Sequence, residues 1–168
     1  MRTYSIVLMV AAGLAGLAAT APANDSEILA TASIGDSAEV AIGGYMQSGA
    51  TNPAVRAYAE RLVRDHTKGM HQVAALAKRL HLTMQLPSSD TTARETTHVL
   101  EHLRALSGHD RDTAFVNHEI ADHEHDIAEA KDLESSAHAP ALKKLLKDEM
   151  PELREHLAIA RKLASSGK

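Results

Sequence analysis

Histidine is the residue type through which this sequence could do chemistry. The chain has 11 histidines and no cysteine, so imidazole and carboxylate groups are its available metal ligands and thiol chemistry is excluded. Residues 118–126, HEIADHEHD, hold three of these histidines among four acidic residues. Such a segment predicts either a metal site or a charged, solvated helix surface.

Helical periodicity separates the three histidines of this segment. At about 100° per residue, His123 lies within an apolar stripe typical of a buried helix face. That stripe consists of Val116, Ile120, Ile127 and Ala130. His118 and His125 face the other way, beside Asp122 and Asp126. We therefore predict that those two histidines belong to a solvated face with local charge pairing, and that His123 alone points to the core.

Three other predicted helices carry one polar residue of metal-ligand type on an apolar stripe. His66 lies on the stripe of the second helix, His156 on that of the fifth, and Glu39 on that of the first. A single histidine in such a position is usually a packed side chain with satisfied hydrogen bonds. The coincidence on four helices, at compatible distances from the turns, predicts one shared site. Its candidate residues are Glu39, His66, His123 and His156.

Three interpretations of these four residues are open: a metal site, a mutual hydrogen-bond network, or side chains that do not converge. Burying imidazole and carboxylate groups unpaired costs several kcal/mol, and either a bound metal ion or a mutual hydrogen-bond network would offset that cost. Three histidines with one glutamate suit one divalent transition-metal ion, namely zinc, copper, nickel or iron. Two irons would need bridging carboxylates, so a ferroxidase is disfavoured. His98 and His102, four residues apart, predict only weak, adventitious binding on a helix surface.

Known catalytic patterns are missing from the sequence. It has no His-Glu-x-x-His segment, no glycine-rich phosphate loop and no serine in a strand–turn–helix elbow. We therefore assign no catalytic residue and expect binding rather than turnover.

The elements that must position these residues are helices. The chain after residue 23 is rich in Ala, Leu, Glu, Lys and Arg and has no alternating strand pattern, which predicts an all-α fold. Turn and capping residues divide it into five predicted helices, at about residues 26–47, 53–81, 91–107, 110–135 and 139–164. Four long segments and one short one predict an antiparallel four-helix bundle with one additional short helix. Pro151 should kink the last helix rather than divide it in two.

The amino-terminal segment is typical of a secretory signal peptide. It reads MRTYSIVLMVAAGLAGLAATAPA, with a basic start, an apolar middle and an Ala-x-Ala exit. We predict cleavage after Ala23, a periplasmic location and a helical domain over residues 24–168. The apolar run is short for a membrane span of roughly 20 residues, although an uncleaved anchor is the alternative. No later segment of the sequence is apolar enough to span a membrane.

Charge and composition argue against a nucleic-acid partner. The formal net charge is −4, both signs are interspersed, and the aromatic residues are one phenylalanine and three tyrosines. Nucleic-acid binding usually needs a basic face and aromatic stacking platforms. The sequence identifies neither a protein partner nor an oligomeric state.

Several segments resemble an exported bacterial family known as domain of unknown function 4142. These segments are SAEVAIGGYM, NPAVRAYAERLVRDHTK, LSGHDRDTAFVNHEIADHE and LKKLLKDEMPELREHLAIARKL. The resemblance covers about residues 26–164 and implies export and a ferritin-like helical bundle. The chain departs from the family pattern at 62–63 and at Arg111, positions that affect packing. The recurrent polar positions of the family fall on Glu39, Asp65, His66, His123 and His156.

The family has no established activity, so two functional hypotheses follow. The first is an exported ferritin-like protein that binds one transition-metal ion through the inward Glu/His cluster. The alternative is an envelope stress or interaction protein in which the same cluster is a structural, metal-free polar core.

Overall fold

The structure is a computed structural model that describes residues 24–166. The predicted signal peptide, residues 1–23, lies outside the described residues. Between residues 24 and 166 the chain forms helices and no strand, which confirms the all-α prediction. The helices are α1 (Asp25–Gly49), α2 (Pro53–Leu80), α3 (Thr92–Ala105), α4 (Gly108–Ser136) and α5 (Pro140–Ser166).

Capping residues set the beginnings of the first two helices. The side chain of Asn24 accepts a hydrogen bond from the Glu27 amide at 3.0 Å, and the Glu27 carboxylate accepts one from the Asn24 amide at 3.2 Å. This reciprocal pair is a capping box, which satisfies two amides that the helix itself leaves free. The side chain of Asn52 caps α2 by accepting a single hydrogen bond from the backbone amide of Ala54 at 2.8 Å.

Two helix ends differ from the sequence prediction. α3 ends at Ala105, and α4 begins at Gly108 rather than at Asp110 or Asp112. Gly108 has a φ of 58°, a left-handed conformation that glycine adopts without strain, so the chain can turn directly into α4 there. α5 continues through Pro151 as one helix. The alternative of two shorter helices meeting at Pro151 is therefore wrong.

Hydrogen bonds between helix ends fix the topology. α1 packs against α2 and α4 against α5, and α2 also contacts α5. At one end of the bundle the amide of Asn52 donates to Asp112 at 2.7 Å, and at the other the amide of His138 donates to Asp25 at 2.7 Å. α4 therefore starts beside the α1–α2 turn and finishes beside the start of α1. Each long helix runs antiparallel to the neighbours against which it packs.

The short helix α3 packs against α1 and α4. It follows the long connection from α2, residues 81–91, and lies on the outside of the four long helices. The fold is thus the predicted ferritin-like antiparallel four-helix bundle with one additional short helix. Among residues 24–166 no helix is both long and apolar enough to cross a membrane.

The apolar core consists of two clusters, one towards each end of the bundle. The first cluster includes Met46, Leu62, Phe115 and Ala160, and the second includes Ile28, Val73, Leu76 and Leu142. Each of the four long helices contributes apolar residues to both clusters. Its candidate residue, namely Glu39, His66, His123 or His156, lies between those two sets of apolar positions. The candidate site is therefore a polar layer between two apolar ones.

Replacement of Asp112 by alanine tests the link between the α1–α2 turn and α4. Asp112 is 4 % exposed and accepts hydrogen bonds from the Thr51 amide and hydroxyl and from the Asn52 amide. Its loss leaves these donors without an acceptor, which costs about 1–3 kcal/mol. We expect the melting temperature, measured by circular dichroism, to fall by roughly 3–10 °C. Asp110→Ala, at an exposed position in the same helical turn, is the control, and equal melting temperatures for the two variants would contradict the assignment.

Candidate metal centre in the bundle core

The four residues selected from the sequence meet between the helices. His123 and His156 are fully buried, and Glu39 and His66 are 2 % and 6 % exposed. Each of the three imidazoles offers a ring nitrogen within 4.8 Å of the corresponding nitrogens of the other two. Nε2 of His66 also lies 3.9 Å from Oε2 of Glu39. The structure therefore brings together all four candidate residues.

Carboxylates outside the cluster orient two of the imidazoles. Nδ1 of His66 lies 2.8 Å from Oδ1 of Asp36, and Nε2 of His156 lies 3.1 Å from Oδ2 of Asp65. Burial by itself raises the pKa of Asp65, but hydrogen bonds from His156 and Arg61 outweigh it and lower that pKa below its usual value. The ionised Asp65 carboxylate is an acceptor, so His156 donates its Nε2 proton outwards. Burial raises the pKa of Asp36, and the hydrogen bond with His66 opposes that shift. Nδ1 of His156 is therefore left with a lone pair on the side of the cluster, and Nε2 of His66 lies on the side of Glu39.

A backbone carbonyl orients the third imidazole. Nδ1 of His123 donates to the carbonyl oxygen of Glu119 at 3.0 Å, so Nε2 of this ring carries the lone pair. That Nε2 lies 3.3 Å from Nδ1 of His156, which is also unprotonated. Burial lowers the pKa of His123 to about 3, and the neighbouring His156 and His66 add to the effect. At neutral pH, therefore, two lone pairs face each other with no proton between them.

The spacing of these two nitrogens fits a shared metal ion. A tetrahedral zinc ion with nitrogen ligands at roughly 2.0–2.1 Å holds those nitrogens about 3.3 Å apart. The observed distance from His123 Nε2 to His156 Nδ1 is 3.3 Å. The second ring nitrogen of a metal-ligating histidine is usually hydrogen-bonded to a carboxylate or a carbonyl. Each of the three rings here has such a partner. The donor set could therefore hold a transition-metal ion.

Sequence analysis missed Glu119. This side chain is fully buried. A carboxylate oxygen of Glu119, one of Glu39 and a ring nitrogen of His123 all lie within 4.8 Å of one another. Both oxygens of Glu119 and both of Glu39 are buried without a hydrogen-bond partner in the described part of the chain. The available signal was its position four residues before His123, which places it on the same helix face. The inward set is thus three histidines and two glutamates.

Burial also governs the protonation of the two glutamates. It raises the pKa of Glu39 well above its ordinary value, and the nearby carboxyl of Glu119 raises it further. Burial likewise raises the pKa of Glu119, with a further contribution from Asp122. Both side chains favour the neutral acid in the metal-free protein. A bound cation would reverse this preference, because it stabilises the carboxylate.

Gly69 makes the hydrogen bond between Asp36 and His66 possible. A Cβ added at Gly69 would lie 2.6 Å from Oδ2 of Asp36, far closer than atoms can pack. The Asp36 carboxylate therefore occupies the space that a side chain on α2 would fill. Since Gly69 lies three residues after His66, the two share one face of α2.

The structure corrects the prediction for His118. His125 is exposed, as predicted, but His118 is half-buried, and its Nε2 is buried without a partner among the described residues. Burial lowers the pKa of His118. The solvated-face prediction was wrong for this residue because α3 and the loop before it lie over that side of α4. The other pair considered, His98 and His102, is exposed on α3.

A ferritin-like four-helix bundle with a buried histidine and carboxylate cluster is the class of protein that the fold and the site define. Residues 12–163 match the family described as Domain of unknown function (DUF4142), and the chain belongs to that family. It is also similar to a solved structure, the crystal structure of a DUF305 fragment from Deinococcus radiodurans. The TM-score is 0.74 and the identity 16 %, over 87 % of this chain and 99 % of that one. At this identity the likeness shows a common fold alone. A comparison with curated proteins gives no match.

An acidic cavity of about 80 Å³ adjoins His66 on the side of α5. Asp36, Asp126 and Glu149 line it. Burial raises the pKa of Glu149 to about 8, and the carboxylate of Asp36 adds to the shift. Burial, with the charge of Asp122, likewise raises the pKa of Asp126 to about 8. The folded protein thus holds protons on these groups that the unfolded chain releases at lower pH.

Replacement of Glu149 by glutamine tests this electrostatic balance. The folded pKa lies above the unfolded value, so the stability associated with Glu149 is complete at low pH and is lost as the pH rises towards 8. The variant lacks the ionisable group, so its melting temperature should exceed that of the wild type increasingly between pH 5 and pH 8. The difference at pH 8 should be about 1–3 kcal/mol in unfolding free energy. Asp148→Asn, at an exposed neighbour, should show no such trend; an identical pH profile for Glu149→Gln and wild type would refute the prediction.

Proposed function

We propose that this protein is an exported metal-binding protein that holds one divalent transition-metal ion through Glu39, His66, His123 and His156. Zinc, copper, nickel and iron all suit imidazole with carboxylate ligands. The observation that carries the proposal is the arrangement of the three rings: each has a hydrogen-bond partner outside the cluster on one nitrogen, and the three rings offer ligand nitrogens within 4.8 Å of one another. Export to the periplasm is supported by the signal-like layout of residues 1–23.

The role proposed is binding or buffering of the ion rather than catalysis. Three imidazoles and one carboxylate complete a tetrahedral shell, which is the arrangement of closed zinc sites. Catalytic sites keep one position open for water or substrate. The four candidate ligands are at most 6 % exposed, which supports a closed site.

Metal analysis of tag-free protein tests the proposal. After removal of loosely bound ions, the wild-type protein should retain about one equivalent of a transition metal, and His66→Ala/His123→Ala should retain almost none, because two of the four ligands are lost. His98→Ala/His102→Ala is the matched control, since it removes two exposed histidines and should behave as wild type. Mass spectrometry of the bound metal is the measurement.

Equal metal content in the wild type and in the His66/His123 variant would end the proposal. That result would favour the alternative of an envelope stress or interaction protein with a metal-free polar core.

Replacement of Gly69 by alanine tests the orientation of His66 without removing a ligand. The new Cβ would displace the Asp36 carboxylate, which is the flexible end of a side chain, so His66 would lose its acceptor while the helices stay in place. Loss of such a partner typically weakens metal affinity by roughly 10–100-fold. Competition with a chromophoric chelator would measure the affinity.

Gly44→Ala is the matched control for this variant. An added Cβ at Gly44 meets no heavy atom of residues 24–166 within 4 Å. Alanine is more favourable than glycine inside a helix by about 1 kcal/mol. Helix propensity alone should therefore stabilise both variants slightly. If Gly69→Ala binds metal as tightly as Gly44→Ala, Asp36 does not position His66.

A further inference from the structure

A second group of metal-ligand side chains lies at the base of an open cleft. The cleft, of about 530 Å³, lies between α1, α4 and α3 with its preceding loop, and Glu39 of the proposed metal centre forms part of its wall. The described residues that line it include no lysine or arginine. They include six acidic residues, namely Glu39, Asp90, Glu95, Asp122, Asp126 and Glu129. Such a cleft concentrates cations near its walls.

Buried polar atoms at the base of the cleft lack partners. Glu39 is 2 % exposed, and neither of its oxygens has a hydrogen-bond partner within residues 24–166. Nε2 of His118 is also buried, and it too is unpaired in the same range. Glu39, His118 and Asp122 each offer a ligand atom within 4.8 Å of the other two. A buried carboxyl group and a buried imidazole nitrogen, both without hydrogen-bond partners, are costly unless a ligand satisfies them.

We propose that Glu39, His118 and Asp122 form a second binding site for a divalent first-row metal ion, with Glu39 shared between this outer site and the inner histidine site. The proposal rests on the proposed function through Glu39 alone. Two carboxylates and one imidazole form a harder ligand set than three imidazoles, so the outer site suits Mn²⁺, Fe²⁺ or Zn²⁺ and binds more weakly than the inner site. A cation from solvent meets the outer site first.

The two oxygens of Glu39 make the sharing possible. Oε2 lies 3.9 Å from Nε2 of His66, on the inner side, while the same carboxylate lies within 4.8 Å of the ligand atoms of His118 and Asp122. A carboxylate with both oxygens unpaired can bind one ion through each oxygen. Glu39 therefore connects the outer site to the inner site and gives an ion a path between them.

Zinc titration of the metal-free, signal-cleaved protein by isothermal calorimetry tests the outer site. Wild type should bind two equivalents, the second at least 10-fold more weakly than the first. Asp122→Asn preserves shape but removes the charge, and it should bind one tight equivalent. His118→Gln should behave in the same way, which guards against a folding defect peculiar to one variant. His125→Ala, an exposed histidine that lines the same cleft but lies outside the three-residue group, should still bind two.

The outcomes separate the two sites. One tight equivalent in wild type and in Asp122→Asn alike overturns the outer site and leaves the inner one standing. No zinc in wild type overturns both. Two equivalents in every folded variant, verified by unchanged circular dichroism, overturn the assignment of His118 and Asp122 as ligands.

Discussion

The contact between His123 and His156 places two ring nitrogens face to face in the core, and the surrounding residues must provide a partner for both. Their facing nitrogens are 3.3 Å apart, and hydrogen bonds on the far side of each ring leave both nitrogens unprotonated. Two acceptors repel at this distance, and burial lowers the pKa of both His123 and His156, which disfavours a bridging proton at neutral pH. The proposed metal ion would satisfy both lone pairs at once. His66 offers a third ring nitrogen within 4.8 Å of the other two.

The topology of the bundle explains why the site is closed on one side and open on the other. The α1–α2 and α4–α5 pairs pack closely along their lengths, and α2 also packs against α5. Between α1 and α4, however, the neighbour is α3, which lies outside and leaves the cleft that reaches Glu39. Each proposed inner ligand comes from a different long helix, so a bound ion would join all four. Such an ion would stabilise the folded state by mass action, since the unfolded chain cannot assemble the set.

Periodicity in the sequence predicts the helices and the four candidate ligands, but not the residues that surround those ligands. The helix number and the convergence of three histidines with Glu39 both come from apolar stripes and turn residues. Asp36 was not predictable in this way, because its role depends on the absence of a side chain at Gly69 on another helix. His118 was misplaced for a similar reason, since its burial depends on α3. Pairwise packing between helices is the information that periodicity lacks.

Glu119 shows why that missing information matters for the chemistry. A divalent ion held by three neutral imidazoles and Glu39 alone would leave one net positive charge in the core, and an unbalanced charge there is costly. Glu119 is fully buried, and Oε2 of its carboxylate lies 3.6 Å from Nδ1 of His123. If Glu119 ionises when the ion binds, the ion and the two glutamates together carry no net charge. In the metal-free protein, burial raises the pKa of Glu119 and so favours its neutral acid. Glu119 would therefore offset the charge of an ion in the proposed inner site, in addition to the carboxylates of Asp36 and Asp65 that contact His66 and His156.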